Sequence, residues 1–188
     1  MDSSATATPF LSMVPLLRPA SLGDLPGIAS IYNYYVAHSH STFEIEPVGE
    51  EQQVESFRMH AGGGRYRFFV AERTPGEIIG YAHTGPFRPR AAYATTVESS
   101  VYCRPDATGQ GVGRRLYDAL FQAIAQEDIH RIVAVIAQPN PASVALHEKF
   151  GFFKIGVLSE VGRKLGRFWD VAYFERPLVL PPDASATT

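Results

Sequence analysis

A glycine-rich turn joins an apolar strand to a helix in segment 96–120, TVESSVYCRPDATGQGVGRRLYDAL. Gly109, Gly111 and Gly113 lack Cβ atoms, so the backbone can take positive φ angles there and its amides can come close to a ligand. These amides, with the positive end of the following helix, would face an anion such as a phosphate. Glu98, the carboxylate in the preceding strand, would then lie close to that ligand and could take part in proton transfer.

The turn matches two common nucleotide-binding motifs poorly. A P-loop ends in Gly-Lys-Ser or Gly-Lys-Thr, whereas Gly113 is followed by Arg114 and Arg115. A dinucleotide-binding turn reads GxGxxG and has an acidic residue at the end of the next strand, whereas this turn reads GxGxG and the next strand ends in Gln138. On composition alone, a structural tight turn without a ligand is the alternative.

The length and composition indicate one ordinary globular domain. The chain has 188 residues, of which 45% are hydrophobic and 19% charged, enough for a sizeable core. A net charge of -2 gives no strong attraction to nucleic acid or to an anionic membrane. Because no apolar run reaches membrane-spanning length and the N-terminus lacks a basic signal-peptide region, we expect a cytoplasmic protein.

The cysteine and histidine residues give no sign of a disulfide or a metal site. Cys103 is the only cysteine, which excludes an intrachain disulfide. Its place on an apolar strand favours a buried small side chain over a nucleophile. His38 and His40 flank Ser39 without metal-ligand spacing to another His or Cys, so no metal is expected.

The apolar periodicity and the turn residues predict a mixed α/β domain over residues 15–178, between flexible tails 1–14 and 179–188. Ser21 and Asp24 resemble a capping box at the first helix. The predicted helices cover 21–37, 50–60, the glycine turn to about 126, and 141–150. One short strand is predicted to end near residue 18. The other predicted strands cover 67–72, 77–84, 94–103, 132–137, 152–160 and 168–175. This order predicts a sheet with helices on both faces, and the wholly apolar 132–137 predicts a strand buried on both faces.

Two motifs then give the chain a family resemblance. The first is TVESSVY followed by TGQGVG, and the second is QPNPASVALHEKFGF over 138–152. With them, residues from about Leu17 to Pro177 resemble the GNAT acetyltransferases, in particular the phosphinothricin and methionine sulfoximine N-acetyltransferases. Thr108 replaces the Q/R of the family turn, a mild departure because backbone amides make most phosphate contacts. His147 replaces a tyrosine, which is typical of the phosphinothricin-like branch.

The resemblance implies a GNAT fold with a mostly antiparallel central sheet, acetyl-CoA as cosubstrate and a homodimer. It also implies the residues that hold the cosubstrate. Asn140 would contact the pantetheine arm, although a simple helix N-cap explains it nearly as well. The cosubstrate residues implied in this way are Val101, Tyr102, Cys103, Gly109, Gln110, Gly111, Val112, Gly113, Arg114, Asn140 and Ser143.

Two residues are implied as catalytic. Glu98 would take a proton from the amine, directly or through a water, because a carboxylate in an apolar strand tends to have a raised pKa. Its alternative role is a salt bridge or a capping contact. His147 would donate to the leaving sulfur or accept the amine proton, and its alternative role is a hydrogen bond to a neighbouring loop. A backbone amide within 99–102 would hold the oxyanion.

The acceptor site is implied by a basic loop before the Glu98 strand. By resemblance, Arg88, Arg90 and Tyr93 align with positions that contact substrate, and an arginine there could grip a carboxylate bidentately. Thr42 and Phe43 would form a wall for the acceptor side chain. A solvated basic loop is the alternative for both arginines.

The sequence therefore predicts an acetyl-CoA-dependent N-acetyltransferase of a small amino-acid-like amine, such as methionine sulfoximine, methionine sulfone or phosphinothricin. Attack would be direct in a ternary complex, because Cys103 is unsuited to carry an acetyl group. An enzyme for protein N-termini or polyamines is one alternative, although polyamines would need an acidic groove. A non-catalytic acyl-CoA-binding module is another, and the presence of both Glu98 and His147 argues against it.

Overall fold

The fold was examined in a computed structural model, which describes residues 14–60 and 63–178. Apart from Val14, the predicted tails, 1–14 and 179–188, lie outside these residues. Within them, the strands are β1 (Leu16–Pro19), β2 (Phe68–Glu72), β3 (Ile78–Pro86), β4 (Thr96–Cys103), β5 (Arg131–Gln138), β6 (Phe153–Lys164) and β7 (Arg167–Pro177). The α-helices are α1 (Leu25–His38), α2 (Glu50–Arg58), α3 (Val112–Ala123) and α4 (Pro141–Lys149).

The strands form one sheet in the order β1-β2-β3-β4-β5-β7-β6. Every neighbouring pair is antiparallel except β4 and β5, which are parallel. The last two strands form a hairpin in which β7 pairs with β5, so β6 is left at the edge. This arrangement confirms the mixed, mostly antiparallel sheet that the sequence predicted.

Helices cover both faces of the sheet, as predicted. Leu25, Ile28 and Ile31 recur at helical spacing in α1 and pack with Val70 and Tyr81 of the sheet. On the other face, α3 buries its own apolar stripe, which includes Leu116, Tyr117 and Leu120, against a second cluster. Each face therefore has its own core, and β4 lies between the two.

Some element boundaries differ from those predicted. The first helix begins as a 3-10 turn, Leu22–Asp24, in which the Asp24 carboxylate accepts hydrogen bonds from the amide and hydroxyl of Ser21. The strand β6 continues to Lys164 rather than ending at Glu160, because an irregularity in the pairing between Leu158 and Gly162, where Glu160 has a φ angle of 53°, interrupts the register without ending the strand.

The prediction that strand 132–137 is buried on both faces was wrong at one position. Val135 of β5 is 37% exposed, whereas its neighbours Ala134 and Ile136 are buried. The exposure arises because Val135 lines a cavity beside the strand. The apolar run therefore predicted the strand correctly, but it did not show that Val135 faces a cavity rather than the core.

Candidate active site

The parallel pairing of β4 with β5 ends early. Only three residue pairs align, the last being Glu98 with Val133. Beyond this point β4 stays paired with β3 as far as Cys103, and β5 stays paired with β7 as far as Gln138. The facing edges are left unpaired, and a cavity of about 380 Å³ is lined by both of them. We call this opening the splay.

The glycine turn lies at the splay and begins α3. Gly109 and Gly111 have φ angles of 74° and 77°, which only glycine adopts without strain. The first backbone bond into the helix runs from the amide of Arg115 to the carbonyl of Gly111, so the amides of the first turn have no acceptor within the helix. No heavy atom lies within 4 Å of a Cβ placed at either glycine. This open row of amides at the positive end of a helix fits the phosphates of acetyl-CoA.

Gly113 does not have the positive φ angle that was expected for it as part of the glycine turn. It lies inside α3 and, unlike Gly109 and Gly111, has no positive φ angle. A Cβ at this position would lie 3.3 Å from Cδ2 of Leu146 and 3.6 Å from the Cys103 sulfur. Glycine is suited to this position because α3 packs closely against α4 and β4, not because the backbone turns there.

Most of the predicted cosubstrate residues share the cavity. Gln110 does not line it, because its side-chain amide is turned to the Asp106 carbonyl at 2.6 Å. Asn140 lines the cavity and also caps α4, since its Oδ1 accepts a hydrogen bond from the Ser143 amide at 3.1 Å. The predicted residues that line the cavity are Val101, Tyr102, Cys103, Gly109, Gly111, Val112, Gly113, Arg114, Asn140 and Ser143.

Glu98 stands where the two strands part. It lies opposite Gly85 of β3, which has no side chain, and next to Val133 of β5. Because side chains alternate along a strand, Glu98 shares a face with Tyr102, which packs on Tyr32 of α1. Burial raises the pKa of Glu98, and the nearby Arg88 guanidinium partly opposes the rise. Among the described residues the carboxylate has no hydrogen-bond partner and no ion pair, so the predicted alternative of a salt bridge or cap is not found there.

His147 lies on the other face, in a hydrogen-bonded pair. It lines the cavity but is only 3% exposed. Its Nδ1 lies 2.7 Å from the Ser143 carbonyl, to which it can only donate, so its Nε2 accepts from the Tyr117 hydroxyl at 2.8 Å. The Tyr117 oxygen is also 3.5 Å from Oγ of Ser99 in β4. Burial lowers the pKa of His147, which favours this neutral form. Both ring nitrogens are therefore engaged, rather than free for a reacting atom.

The basic loop follows β3 on the Glu98 side. The Arg88 guanidinium lies 4.8 Å from the centroid of the Phe87 ring, which packs edge-on against Tyr93. Arg88, Arg90 and Tyr93 are exposed. None of these three residues lines the cavity, so the predicted acceptor groups and the predicted cosubstrate groups occupy different surfaces.

Thr42 and Phe43 lie on the loop that follows α1. The Thr42 hydroxyl is 2.7 Å from the Tyr32 hydroxyl, and the Tyr32 ring packs edge-on against Tyr102. Since Tyr102 shares a face of β4 with Glu98, this loop and the carboxylate border the same side of the sheet.

Sequence reasoning missed several residues at the cavity. Tyr117 has the spacing of a core residue in α3, and nothing in its local pattern points to His147 thirty residues later. Tyr35 has the spacing of a core residue in α1, but it also lines the cavity and donates a hydrogen bond to the Cys103 carbonyl at 2.7 Å. Ser41 and Val135 line the cavity without belonging to any motif.

Comparisons with known proteins show the family of the chain. The model of the acetyltransferase (GNAT) family matches residues 28–152. A phosphinothricin N-acetyltransferase of Streptomyces coelicolor is 48% identical over 163 residues, which cover 86% of this chain and 95% of that protein. An L-methionine sulfoximine/L-methionine sulfone acetyltransferase of Pseudomonas aeruginosa is 38% identical over 170 residues, covering 90% and 97% of the two chains.

A solved structure has the same fold. A GNAT superfamily phosphinothricin acetyltransferase from Sinorhizobium meliloti, in complex with acetyl-CoA, aligns with a TM-score of 0.84 and 35% identity. The alignment covers 94% of this chain and 93% of that one. The chain therefore belongs to the GNAT acetyltransferase family, as its motifs indicated. It is an N-acetyltransferase, and acetyl-CoA is its cosubstrate.

The described residues contain neither a membrane-spanning helix nor a cluster of metal-ligating side chains. Over 14–60 and 63–178, no helix combines the length and the apolar character needed to cross a membrane. In the same part of the chain, no three His, Cys, Asp or Glu side chains are grouped so that they could hold a metal ion.

The positive φ angle of Gly111 makes a testable prediction. Gly111→Ala should raise the dissociation constant for CoA about tenfold, because strain at the start of α3 moves the phosphate-facing amides. Gly166→Ala is the matched control, since Gly166 has a φ angle of 78° and equally open surroundings but lies in the β6–β7 turn. Isothermal titration calorimetry with CoA measures both variants, and an equal loss of affinity in the two would contradict the assignment.

Proposed function

We propose that this enzyme acetylates the amine of a small amino-acid-like acceptor, with phosphinothricin, methionine sulfoximine and methionine sulfone as the leading candidates. The observation that carries the proposal is the half-buried Glu98 carboxylate, which has no partner among the described residues and lies at the point where β4 and β5 part. The basic loop lies beside it, and relatives at 38% to 48% identity are named for these acceptors.

In this proposal Glu98 is the general base. Its oxygens have no partner among the described residues, so their lone pairs are free to accept the amine proton, directly or through one water. The raised pKa makes the carboxylate a stronger base than an exposed glutamate. Bound acetyl-CoA supplies the thioester carbonyl that the deprotonated amine attacks, and the unpaired β4 edge over 99–102 offers backbone amides to the oxyanion.

The acceptor would be oriented by the basic loop. Arg88 is close enough to Glu98 to affect its pKa, so a carboxylate held by Arg88 and Arg90 would lie near the base. Tyr93 would complete this contact, while Thr42 and Phe43 would line the acceptor side chain. An acidic acceptor suits these cations, whereas a polyamine would be repelled.

On the opposite face, Tyr117 and His147 would serve the departing thiolate as a pair. The neutral His147 holds the Tyr117 hydroxyl beside Ser99, on the cavity side of β4. In the proposed step the Tyr117 hydroxyl gives its proton to the departing thiolate, and the phenolate left behind regains a proton from solvent, because Nε2 of the neutral His147 carries none. The role proposed for His147 is therefore narrower than the direct acid or base role predicted from its motif.

Direct attack in a ternary complex is part of the proposal. Burial raises the pKa of the Cys103 thiol to about 11, so near neutral pH it stays protonated and is a poor nucleophile. Its sulfur also packs near Gly113 of α3. These surroundings favour a packing role for Cys103 over an acetyl-cysteine intermediate.

A cytoplasmic location also belongs to the proposal. Cys103, the only cysteine, is a free thiol. A chain without a disulfide suits a reducing compartment, whereas paired cysteines are typical of oxidising ones.

A homodimer through the β6 edge is the final part of the proposal. Beyond β6, no further described strand pairs with the sheet, so its outer edge is free to bind another chain. Five large apolar side chains along it are each roughly half exposed, and a patch of this kind marks an interaction surface. These residues are Phe153, Ile155, Val157, Leu158 and Val161.

The first test of the function is acetylation of a panel of amines. Free-CoA release should be confined to phosphinothricin, methionine sulfoximine and methionine sulfone, with no turnover of spermidine or a short peptide.

Glu98→Gln should lower kcat/KM by about a hundredfold or more, since it removes the base. Cys103→Ala should keep near-normal turnover, and its loss in a folded variant would overturn direct attack. Measurable acetyl-CoA binding with no turnover of any amine would favour a binding module.

The charge of Arg88 near Glu98 predicts a pH effect. Glu98 accepts a proton only when ionised, so kcat/KM should fall as the pH drops through its raised pKa. Arg88→Gln removes a charge that favours the ionised form, so the acid limb should move to higher pH. Arg90→Gln is the control, because Arg90 is not among the groups that affect this pKa. An acid limb that stays in place in Arg88→Gln would argue against Glu98 as the base.

The dimer has its own test. Ile155→Lys combined with Val157→Lys should convert a dimer to a monomer in light scattering at micromolar concentration, because two ammonium groups would be buried at the interface. Leu22→Lys changes an equally exposed apolar residue on the turn before α1 and should leave the mass unchanged. A monomeric wild-type protein would refute the dimer outright.

A further inference from the structure

The segment 39–48, here called the acceptor loop, contains no helix or strand. It joins α1 to α2 and carries Thr42 and Phe43. At its far end, the Asn33 side chain holds both polar groups of Val48, at 2.9 and 3.1 Å. Around Thr42, three contacts come from the β6–β7 hairpin, more than a hundred residues later in the chain. They add to hydrogen bonds that Tyr32 and Tyr102 make with Thr42 and Ser41.

Lys164, at the end of β6, provides the first contact. This lysine is only 5% exposed, and its Nζ donates to the Thr42 carbonyl at 2.7 Å and to the Tyr35 carbonyl at 3.3 Å. The Tyr35 carbonyl lies in the last turn of α1, where the helix dipole favours a positive charge. A buried ammonium is stable only when hydrogen-bonded, so Lys164 fixes the hairpin and the acceptor loop to the same helix end.

Gly162 provides the second contact. A Cβ at this position would lie 2.5 Å from Cζ and 2.6 Å from Cδ2 of Phe43, and closer still to Cε2. Its φ angle is not positive, so the backbone itself does not require glycine. The Phe43 ring is the group that requires glycine at 162, because it rests directly on the β6 backbone.

Trp169 of β7, which pairs with Gly162, provides the third contact. The His40 ring stacks on its indole with centroids 3.8 Å apart and planes within 3° of parallel. The indole Nε1 in turn donates to the Lys164 carbonyl at 2.8 Å. Three hairpin residues thus touch three acceptor-loop residues, at His40, Thr42 and Phe43.

We infer that Gly162 and Lys164 are positioning residues, which hold Phe43 and Thr42 against the acceptor. The inference rests on the proposed function, because it assigns Thr42 and Phe43 to the acceptor site. Gly162 and Lys164 act through the acceptor loop, and of the groups that accept a hydrogen bond from the Lys164 ammonium only the Tyr35 carbonyl belongs to a residue lining the cosubstrate cavity. Changes in the hairpin therefore alter acceptor binding while acetyl-CoA binding is preserved.

The test compares two glycines of the same strand. Gly162→Ala displaces Phe43, so the acceptor KM should rise about tenfold while kcat changes less than about threefold and the acetyl-CoA KM stays within about twofold. Gly156→Ala is the control, because no heavy atom lies within 4 Å of its added Cβ and its φ is not positive. Light scattering and thermal unfolding confirm that both variants keep the wild-type mass and fold. An unchanged acceptor KM in Gly162→Ala, or an equal rise in Gly156→Ala, overturns the inference.

A double-mutant cycle tests whether the effect passes through Phe43. In a Phe43→Ala background, Gly162→Ala has no ring to displace and should have little further effect on the acceptor KM. Full additivity of the two changes overturns the inference, as does a normal acceptor KM in Phe43→Ala alone.

Lys164→Arg should preserve the acceptor KM better than Lys164→Met, because it keeps donors for the carbonyls of the loop and of α1.

One readout does not depend on turnover. Trp169 is the only tryptophan in the chain, so its fluorescence reports the stacking with His40 directly. Gly162→Ala should change this emission and Gly156→Ala should not, and an unchanged spectrum in Gly162→Ala overturns the contact. If the wild-type enzyme turns over none of the amines, the proposed function fails. If it does and the variant shows no KM effect, only the role of the hairpin fails.

Discussion

The site depends on a sheet that cannot close between β4 and β5. Each of these strands is held along its outer edge, β4 by β3 and β5 by β7, while their mutual pairing ends at Glu98 and Val133. Backbone amides and carbonyls in a protein interior need hydrogen-bond partners. The unpaired edges therefore form a polar slot through an otherwise apolar sheet, suited to an extended molecule with amide groups of its own.

The splay also explains how groups on opposite faces of a sheet can serve one reaction. The two-residue period of a strand sends Glu98 to the α1 face and Ser99 to the α3 face, where Tyr117 and His147 lie. In a closed sheet these groups would be separated by backbone. Where the strands part, an acceptor on one side can meet a cosubstrate from the other, while the proposed base, Glu98, and the Tyr117–His147 pair remain in different surroundings.

The hairpin contacts the proposed acceptor loop from a distant part of the sequence. The acceptor loop lacks regular structure, so its conformation depends on what it packs against. Lys164 brings a buried charge to the end of α1, and Gly162 leaves room for an aromatic ring. Both contacts join segments about 120 residues apart, so in the proposed acceptor site the end of the sheet supports a loop that is distant in sequence.

The sequence by itself determined the order of helices and strands, the family, the positive φ angles at Gly109 and Gly111, and the Asn140 cap. Each depends on residues near one another in the chain, where periodicity, glycine conformation and side-chain length decide the outcome. The tertiary structure alone decided the pairing of Tyr117 with His147, the exposure of Val135, the close-packing requirement for glycine at 113 and the contacts of Lys164. These depend on which strands become neighbours and where their pairing stops. Neither can be predicted from the pattern of residues within a short segment of the chain.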